Sequence, residues 1–461
     1  MAHPGTHFGT HFGIVAPAFL SHYNTLAALA GALAARGHRV TFIHRPDAER
    51  YVSDPRLAFY AVGADTHPPG SLAASLKLAA NPGGPLGLRR VIDDMASSTT
   101  MLCETLPGAI ERLGIDVILA DQMEAAGGLV AEALGLPFVS IACALPVNRE
   151  PGIPLPVMPF GYGTDERSLK MVEGSTRVYD WMMGPHQRAI EAQARRLGLM
   201  QRGRLPGKLH ECLSPLAQIS QTVAEFEFPR KQLPPHFHHV GPLRPVGRSD
   251  GATHAQSTPL PDIDPHRPFV FASLGTMQGG RFDLFKRIAR ACRMADVQLL
   301  LAHCGGLDGR QAHALEGAGA DWVVEFAPQL AALERADAVI SHAGWNTIMD
   351  AIAAKTPMLA LPIAFDHPGG AARVKHAGIG IQASARFTTA STLARHLGRL
   401  LAEPSFKERL APLGAAVARA GGTARAADII EAALGIRPPS AVATEAAPSA
   451  PSTAAPHLHD A

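Results

Sequence analysis

The sequence predicts an α/β protein of two domains, each built on a parallel β-sheet. Its 461 residues exceed what one hydrophobic core usually serves, so two domains are the default expectation. Short apolar runs alternate with helical patterns early in the chain, and the same alternation restarts after a segment rich in Pro and Gly. Two such domains enclose a cleft, which is the expected ligand site.

The first series of elements reads as a β-α-β unit. An apolar run, 12–16, predicts a central strand, and a loop over 18–23 is expected to follow it. A helix rich in Ala and Leu is predicted over 25–36, with Asn24 as its N-cap. The run 39–43 predicts the second strand. A parallel pair joined by a right-handed crossover is therefore expected.

The chain divides into four parts. Two facing Rossmann-like domains are expected over residues 1–240 and 268–436, and the segment 241–267, rich in Pro, Gly, Ser and His, links them. Residues 437–461 are rich in Ala, Pro, Ser and Thr, and we expect a disordered tail because this composition cannot bury a core. Residues 145–165 form a long Pro- and Gly-rich loop, and loops of that length are often functional.

Composition narrows the class of protein. Hydrophobic residues make up 47% of the chain and charged residues 18%, and the formal net charge is +2, so nucleic-acid binding is not expected. Five cysteines lie without CxxC spacing, which is typical of a reducing compartment. No apolar run reaches eighteen residues, and the first residues lack a basic region followed by an apolar one. We therefore expect neither a transmembrane helix nor a signal peptide.

The most informative stretch is residues 326–367. An apolar run, 338–340, breaks at a Gly-containing turn, and a helix is predicted over 346–354 with Asn346 or Thr347 as its cap. A second apolar run ends the stretch. A strand, a tight turn and a helix N-terminus together bind a diphosphate on free backbone N–H groups. The stretch therefore predicts a nucleotide site.

This stretch resembles the nucleotide-sugar signature of the family 1 glycosyltransferases, which are inverting enzymes of the GT-B fold. The residues that match, in order, are Phe326-Ala327-Pro328-Gln329, His342-Ala343-Gly344-Trp345-Asn346-Thr347, Asp350 and Asp366-His367. The resemblance implies an acceptor-binding N-terminal domain and a nucleotide-sugar-binding C-terminal domain, both with parallel sheets, on either side of the cleft.

A closer resemblance, to bacterial zeaxanthin glucosyltransferases, covers almost the whole chain. The segments that carry it include THPPGSL (66–72), DQMEAAG (121–127) and LPIAFDHPG (361–369). It implies transfer of glucose from UDP-glucose to the ring hydroxyls of the carotenoid zeaxanthin, which gives β-glucosides. UDP-glucose, a co-substrate, and zeaxanthin are then the expected partners, and no cofactor is expected.

The resemblance matches His22 and Asp121 to the catalytic pair of the family. In that pair the histidine takes the proton of the acceptor hydroxyl, and the aspartate orients the ring and stabilises the imidazolium. His22 follows the first strand and Asp121 ends another parallel strand, so both can emerge at one edge of the sheet. By position alone, a loop histidine and a strand-end cap are the simpler interpretation, and the family pattern favours the pair.

The resemblance also implies a set of donor-binding residues. They are Thr276, Phe326, Gln329, His342, Gly344, Trp345, Asn346, Thr347, Asp350, Asp366 and His367. Phe326 stacks on uracil, and Gln329 contacts uracil or ribose. His342 binds phosphate, and the backbone after Gly344 faces the diphosphate. Asp350 accepts the ribose hydroxyls.

The last two matching residues contact the hydroxyls of the donor sugar. His367 stands where glutamine is commoner, which leaves the choice between glucose and galactose open. Thr276 is a phosphate or sugar contact, or else a plain turn residue. Because a helix N-terminus takes the place of a metal ion, no metal is expected. Asp262-Ile263-Asp264 has the form of a metal-binding motif, but it follows no predicted strand.

Three alternatives stay open. The acceptor can be another lipophilic alcohol, such as a polyketide or a sterol. A nucleotide-sugar epimerase can share the fold, although it needs cleft carboxylates for elimination chemistry. A catalytically silent binding protein predicts that His22→Ala has no effect. For a carotenoid acceptor we expect a cytoplasmic protein that makes transient peripheral contact with the inner face of the membrane.

Overall fold

The computed structural model describes residues 9–245 and 259–436 and contains two parallel sheets. The first sheet has the order β3-β2-β1-β4-β5-β6-β7 and comprises β1 (His11–Val15), β2 (Arg39–His44), β3 (Ala58–Ala61), β4 (Val117–Asp121), β5 (Phe138–Ala142), β6 (Gln218–Ser220) and β7 (Phe237–His239). The second has the order β10-β9-β8-β11-β12-β13 and comprises β8 (Phe269–Ser273), β9 (Gln298–Ala302), β10 (Trp322–Val324), β11 (Ala338–Ser341), β12 (Met358–Ala360) and β13 (Gly380–Gln382). The predicted α/β class with two parallel-sheet domains is confirmed.

Helices connect the strands as crossovers in both domains. In chain order they are α1 (Leu20–Ala35), α2 (Ser71–Ala80), α3 (Pro85–Leu113), α4 (Ala125–Leu134), α5 (Glu166–Met182), α6 (Gly184–Arg196), α7 (Gly275–Gln278), α8 (Phe282–Met294), α9 (Gly309–Ala318), α10 (Gln329–Arg335), α11 (Trp345–Ala354), α12 (His367–His376), α13 (Ala390–Ala402), α14 (Ser405–Arg419) and α15 (Gly422–Ala433). None of the helices in the described ranges is long and apolar enough to cross a membrane.

The strand order of each sheet reverses beside its first strand. β1 lies between β2 and β4, and β8 lies between β9 and β11. All of these pairs are parallel, and Val15 pairs with Ala120 at the carboxyl ends of β1 and β4. Ligands of open α/β sheets bind outside the carboxyl ends of the strands at such a reversal. The chain segments that follow β1 and β4 therefore leave the sheet side by side at this edge.

Helix α1 begins earlier than the sequence predicts. Phe19 precedes its first turn in an extended conformation, and the Phe19 carbonyl accepts the N–H groups of His22 and Tyr23. The predicted cap at Asn24 is therefore wrong, and His22 lies in the first helical turn, not in a loop. Packing explains the early start, because the buried ring of Tyr23 stacks on Phe42 with centroids 5.1 Å apart.

The last helix, α15, packs against the first sheet although it follows the elements of the second. Ala426, Ala427 and Ile430 lie in one apolar cluster with Phe12. The chain thus crosses between the domains twice among the described residues, once at 241–245 and once before α15. Residues 1–8, residues 246–258 of the predicted linker and the predicted disordered tail, 437–461, lie outside the described residues. The domain boundaries stay predictions.

The two crossings lie next to each other and share hydrogen bonds. The Gly422 N–H donates to the Val240 carbonyl at 2.7 Å. The Thr423 hydroxyl donates to the Arg244 carbonyl at 2.6 Å and accepts from the Arg244 N–H at 2.8 Å. The hydrogen bonds join the two crossings into one connection between the domains.

A buried ion pair holds α12 of the second domain against the first. Arg373 is fully buried, and its Nε donates to the Glu227 carboxylate at 2.6 Å while the guanidinium covers the Phe228 ring at 4.1 Å. Burial raises the pKa of Glu227, but Arg373 and Arg230 outweigh this effect and hold the pKa below its ordinary value. Glu227 is therefore charged and depends on its cations for compensation.

Removing the cation should destabilise the protein strongly. We expect Arg373→Met to lower the free energy of unfolding by about 3–5 kcal/mol, because Glu227 stays buried without its closest partner. Urea denaturation measures the loss. Arg399→Met is the matched control: its pair with Glu403 is exposed, so the change should stay within about 1 kcal/mol. Equal losses in the free energy of unfolding of the two variants would show that the charge of Glu227 does not depend on Arg373.

Candidate active site

A cavity of about 790 Å³ lies between the carboxyl edges of the two sheets. Every predicted donor-binding residue lines it, and so does His22. Asp121 does not line it, because this residue is fully buried behind the His22 ring. The residues singled out in the sequence are thus brought together at the expected place, although they come from segments hundreds of residues apart.

The β1–β4 pairing places His22 on Asp121. The distance between His22 Nδ1 and Asp121 Oδ2 is 2.7 Å, and Asp121 Oδ1 accepts the N–H of Met123 at 2.9 Å. An ionised carboxylate only accepts hydrogen bonds, so Nδ1 of the ring is the donor. The neutral ring then carries its lone pair on Nε2, where it can take a proton from a ligand in the cavity.

The charge state of His22 depends on two carboxylates. Burial lowers the pKa of His22, but Asp121 and, more weakly, Asp366 outweigh this effect and raise the pKa above its ordinary value. Burial in turn raises the pKa of Asp366, although His22 and the N–H of Leu145, 3.3 Å from its carboxylate, oppose the shift. Asp366 belongs to the second domain, so the charge of His22 depends on both domains.

Cys143 is a third group beside this pair that sequence reasoning missed. Its sulfur and the ligand atoms of His22 and Asp121 all lie within 4.8 Å of one another, a set that could hold a metal ion. Burial and the Asp121 carboxylate raise the pKa of the Cys143 thiol well above its ordinary value. A protonated thiol donates to Asp121 and is a poor ligand for a metal. The residue follows β5 directly, and no spacing pattern distinguished it from the other cysteines.

The N-terminus of α11 faces the cavity without a side-chain cap. Gly344 is the N-cap residue, and no side chain bonds to the first-turn N–H groups. The predicted cap at Asn346 or Thr347 is wrong because Asn346 contacts the first domain, where its Oδ1 accepts from Gln221 Nε2 at 2.8 Å. The uncapped N–H groups and the helix dipole form a site for an anion.

The His342 ring packs between two glycines beside this helix N-terminus. A Cβ on Gly275 would lie 2.7 Å from the ring, and one on Gly344 would lie 2.2 Å from it, so both positions exclude a side chain. Gly275 also has a φ of +74°, a conformation that favours glycine. Burial lowers the pKa of His342 to about 4. The ring is therefore neutral at physiological pH and acts through hydrogen bonds.

Asp350 is already hydrogen-bonded on both oxygens. Gln329 Nε2 donates to Oδ2 at 2.7 Å, and Arg244 donates to Oδ1 from two nitrogens at 3.0 and 2.6 Å. Arg244 also lines the cavity, but no motif distinguishes it in the sequence because it lies in a Pro-rich segment. A ligand hydroxyl that reaches Asp350 therefore joins an existing network.

The predicted sugar-reading residues lie at the start of α12. His367 Nδ1 accepts the N–H of Ala364 at 3.1 Å, so the proton of the neutral ring sits on Nε2. Burial and the nearby His342 ring, 4.4 Å between centroids, hold the pKa of His367 well below its ordinary value. His367 therefore offers an N–H donor, whereas a glutamine amide would offer both a donor and an acceptor.

The opposite wall of the cavity is mainly apolar, although Arg149, His186 and Gln187 also belong to it. It consists of α3, the end of α5, the start of α6 and the loop 145–165, which forms no helix or strand. Its side chains include Val91, Ile92, Met95, Leu155, Met158 and Met182. This wall belongs to the first domain and suits a lipophilic molecule.

Comparisons with known proteins identify the family. The family model described as UDP-glucoronosyl and UDP-glucosyl transferase matches residues 89–416. The chain belongs to this family. The zeaxanthin glucosyltransferase of Pantoea ananas is 50% identical over 92% of this chain and 95% of its own. That of Pseudescherichia vulneris is 46% identical over 92% of this chain and 98% of its own.

Solved structures agree on the fold of this transferase. A glycosyltransferase of kitacinnamycin superposes with a TM-score of 0.69 at 21% identity, over 92% of this chain and 99% of that one. SnogD, a glycosyltransferase from Streptomyces nogalater, has a TM-score of 0.64 at 22% identity over 92% and 99%. The prediction of a GT-B glycosyltransferase is confirmed. The roles of the individual residues stay predictions.

If His22 is the predicted base, the activity of the transferase depends on pH. We expect His22→Ala to lower kcat by roughly 10²–10⁴-fold, the usual contribution of a general base. A base acts only when it is neutral, so kcat/KM of the wild type should rise with pH through the raised pKa of His22. Asp121→Asn removes the main cause that raises this pKa. The variant should therefore be slower than the wild type, and its kcat/KM should rise at lower pH.

Profiles of kcat/KM against pH for the wild type and both variants measure these effects. Asp296→Asn makes the same substitution at an exposed position and should leave the profile unchanged. A profile of Asp121→Asn that rises at the wild-type pH would show that Asp121 does not set the charge of His22.

Proposed function

We propose that this protein transfers glucose from UDP-glucose to the hydroxyl groups of zeaxanthin, with inversion at the sugar carbon. The observation that carries this proposal is one cavity lined both by His22, held by Asp121, and by the uncapped N-terminus of α11. A base and a diphosphate site on opposite sides are what inverting transfer needs. The identities of 50% and 46% to zeaxanthin glucosyltransferases support the choice of acceptor.

In the reaction, His22 Nε2 takes the proton of the acceptor hydroxyl as its oxygen attacks the anomeric carbon. The new carbon–oxygen bond forms on one face of the sugar, and the bond to the diphosphate breaks on the other. Asp121 stabilises the imidazolium that results. The free N–H groups of α11, with His342, stabilise the charge that develops on the leaving diphosphate.

The remaining residues of the second domain position the donor. Phe326 stacks on the uracil, Gln329 and Asp350 bind the ribose, and Asp366 and His367 bind the glucose hydroxyls. Trp345 and Thr347 supply backbone N–H groups, and Thr276 contacts the phosphates or the sugar. The N–H of His367 requires a sugar hydroxyl that accepts a hydrogen bond at this place. Arg244 holds Asp350 in place for the ribose.

The acceptor lies against the apolar wall of the first domain. Because the cavity also holds the donor, one end ring of a long carotenoid fits inside and the rest extends out of the mouth. Zeaxanthin dissolves in lipid and not in water. We therefore place the protein in the cytoplasm, in peripheral contact with the inner face of the membrane.

The reaction can be tested with purified protein and zeaxanthin dispersed in detergent. We expect a more polar, glucosylated carotenoid with UDP-glucose, and its formation should be roughly 10²–10⁴-fold slower with His22→Ala. Parallel reactions with UDP-galactose and dTDP-glucose measure donor choice, and reactions with a sterol or a polyketide alcohol measure acceptor choice. Product from those alcohols but none from zeaxanthin would show that the acceptor is another lipophilic alcohol.

A chelator tests how the leaving group is stabilised. Backbone N–H groups need no metal ion, so the rate with UDP-glucose should stay the same after dialysis against EDTA. A loss of activity that Mg²⁺ or Mn²⁺ restores would contradict the role given to α11. Urea denaturation of the dialysed protein serves as the control for intact folding.

A further inference from the structure

Exposed apolar side chains concentrate on two segments of the first domain. The described residues expose eleven large apolar side chains, and six of them lie at the start of α3 or on α5. These six are Leu86, Leu88, Leu169, Met171, Val178 and Trp181. Large exposed apolar groups that gather in one region mark an interaction site, whereas scattered ones need no explanation.

Both segments border the mouth of the active-site cavity. Leu88 and Val178 line the cavity, yet they are 37% and 56% exposed, so they lie where its wall turns into the outer surface. Leu86 stands two residues before Leu88 on α3, and Trp181 stands three residues after Val178 on α5; both are 81% exposed. We call these four residues the mouth surface. It continues the apolar wall of the acceptor site to the outside of the protein.

Acidic and basic side chains are equal in number on α5 and at the start of α3, although Arg90 and Arg167 have no ion-pair partner among the described residues. On α5, Lys170 pairs with Glu166 at 2.6 Å, and Arg177 pairs with Glu173. On α3, Arg89 pairs with Asp93 at 3.0 Å. These helices therefore present no strong net charge that would select an anionic partner. A partner of this surface must be apolar, and a tryptophan is well suited to the boundary between lipid headgroups and acyl chains.

We propose that the mouth surface docks on a lipid bilayer, so that the cavity opens directly into the membrane. This inference rests on the proposed function, since it supplies the route by which a lipid-dissolved acceptor reaches His22. The ring end of the acceptor slides along apolar side chains from the bilayer into the cavity and does not cross water. Binding depends on apolar insertion, so zwitterionic lipids suffice.

Vesicle binding tests the docking surface without any acceptor. The full chain is sedimented with phosphatidylcholine vesicles, and the bound fraction is compared with that of the double variant Leu86→Ser/Trp181→Ser. We expect the variant to lose roughly tenfold or more in partition, because two large apolar side chains no longer enter the lipid. The control is Met294→Ser/Phe387→Ser, which removes exposed apolar groups from the second domain and should bind like the wild type.

Several outcomes would overturn the proposal. One is a wild type that does not bind phosphatidylcholine, and another is a mouth variant that binds as well as the control. A requirement for phosphatidylglycerol would show electrostatic attachment instead. Light scattering adds a further check: a wild-type dimer that the double variant dissociates would show that the mouth surface binds a second copy.

Activity separates this inference from the proposed function. With zeaxanthin in phosphatidylcholine vesicles, the double variant should be roughly tenfold or more slower than the wild type, in line with its lost partition. With zeaxanthin in detergent micelles, the two should have equal rates, because neither Leu86 nor Trp181 lines the cavity. Product in detergent with equal rates in vesicles would overturn docking alone. Absence of product in both would overturn the proposed function.

Discussion

The parallel pairing of β1 with β4 is the constraint on which the active site depends. It aligns Val15 with Ala120, and so it brings the first turn of α1 next to the last residue of β4. The 2.7 Å contact of His22 with Asp121 is a direct result. A shift of one residue in this register would turn the Asp121 side chain to the other face of the sheet, because side chains alternate along a strand. The apolar core of the first domain thus fixes the position of His22.

Three histidines in one cavity differ in charge because their neighbours differ. Burial acts on all of them and favours the neutral ring. Only for His22 do carboxylates, Asp121 and Asp366, outweigh burial and raise the pKa above its ordinary value. His342 and His367 have each other as neighbours, which gives no compensation for a positive charge. Of these three rings, the one with the raised pKa comes from the first domain, and the two with lowered pKa values come from the second.

Much of the fold and of the site follows from local sequence patterns. Strands such as β8 and β11 are short apolar runs buried in the sheet, and such runs are visible without any tertiary information. The resemblance of residues 326–367 to a family signature selected side chains that line one cavity, and their donor-binding roles stay predictions. The errors arose where distant contacts decide local structure. Gln221 takes the Asn346 side chain away from the helix cap, and Phe42 draws Tyr23 into the core and moves the start of α1. Arg244 and Cys143 were missed because only the folded chain brings them to Asp350 and Asp121.

The return of α15 to the first domain limits how the cleft can open. The hydrogen bonds of Arg244 with Thr423 and of Gly422 with Val240 tie the two crossings together at one place. Both crossings pass through this place, so we expect the chain to bend here when the angle between the domains changes. Arg244 joins this connection to Asp350. One arginine therefore contacts both the interdomain connection and Asp350, the residue predicted to bind the ribose.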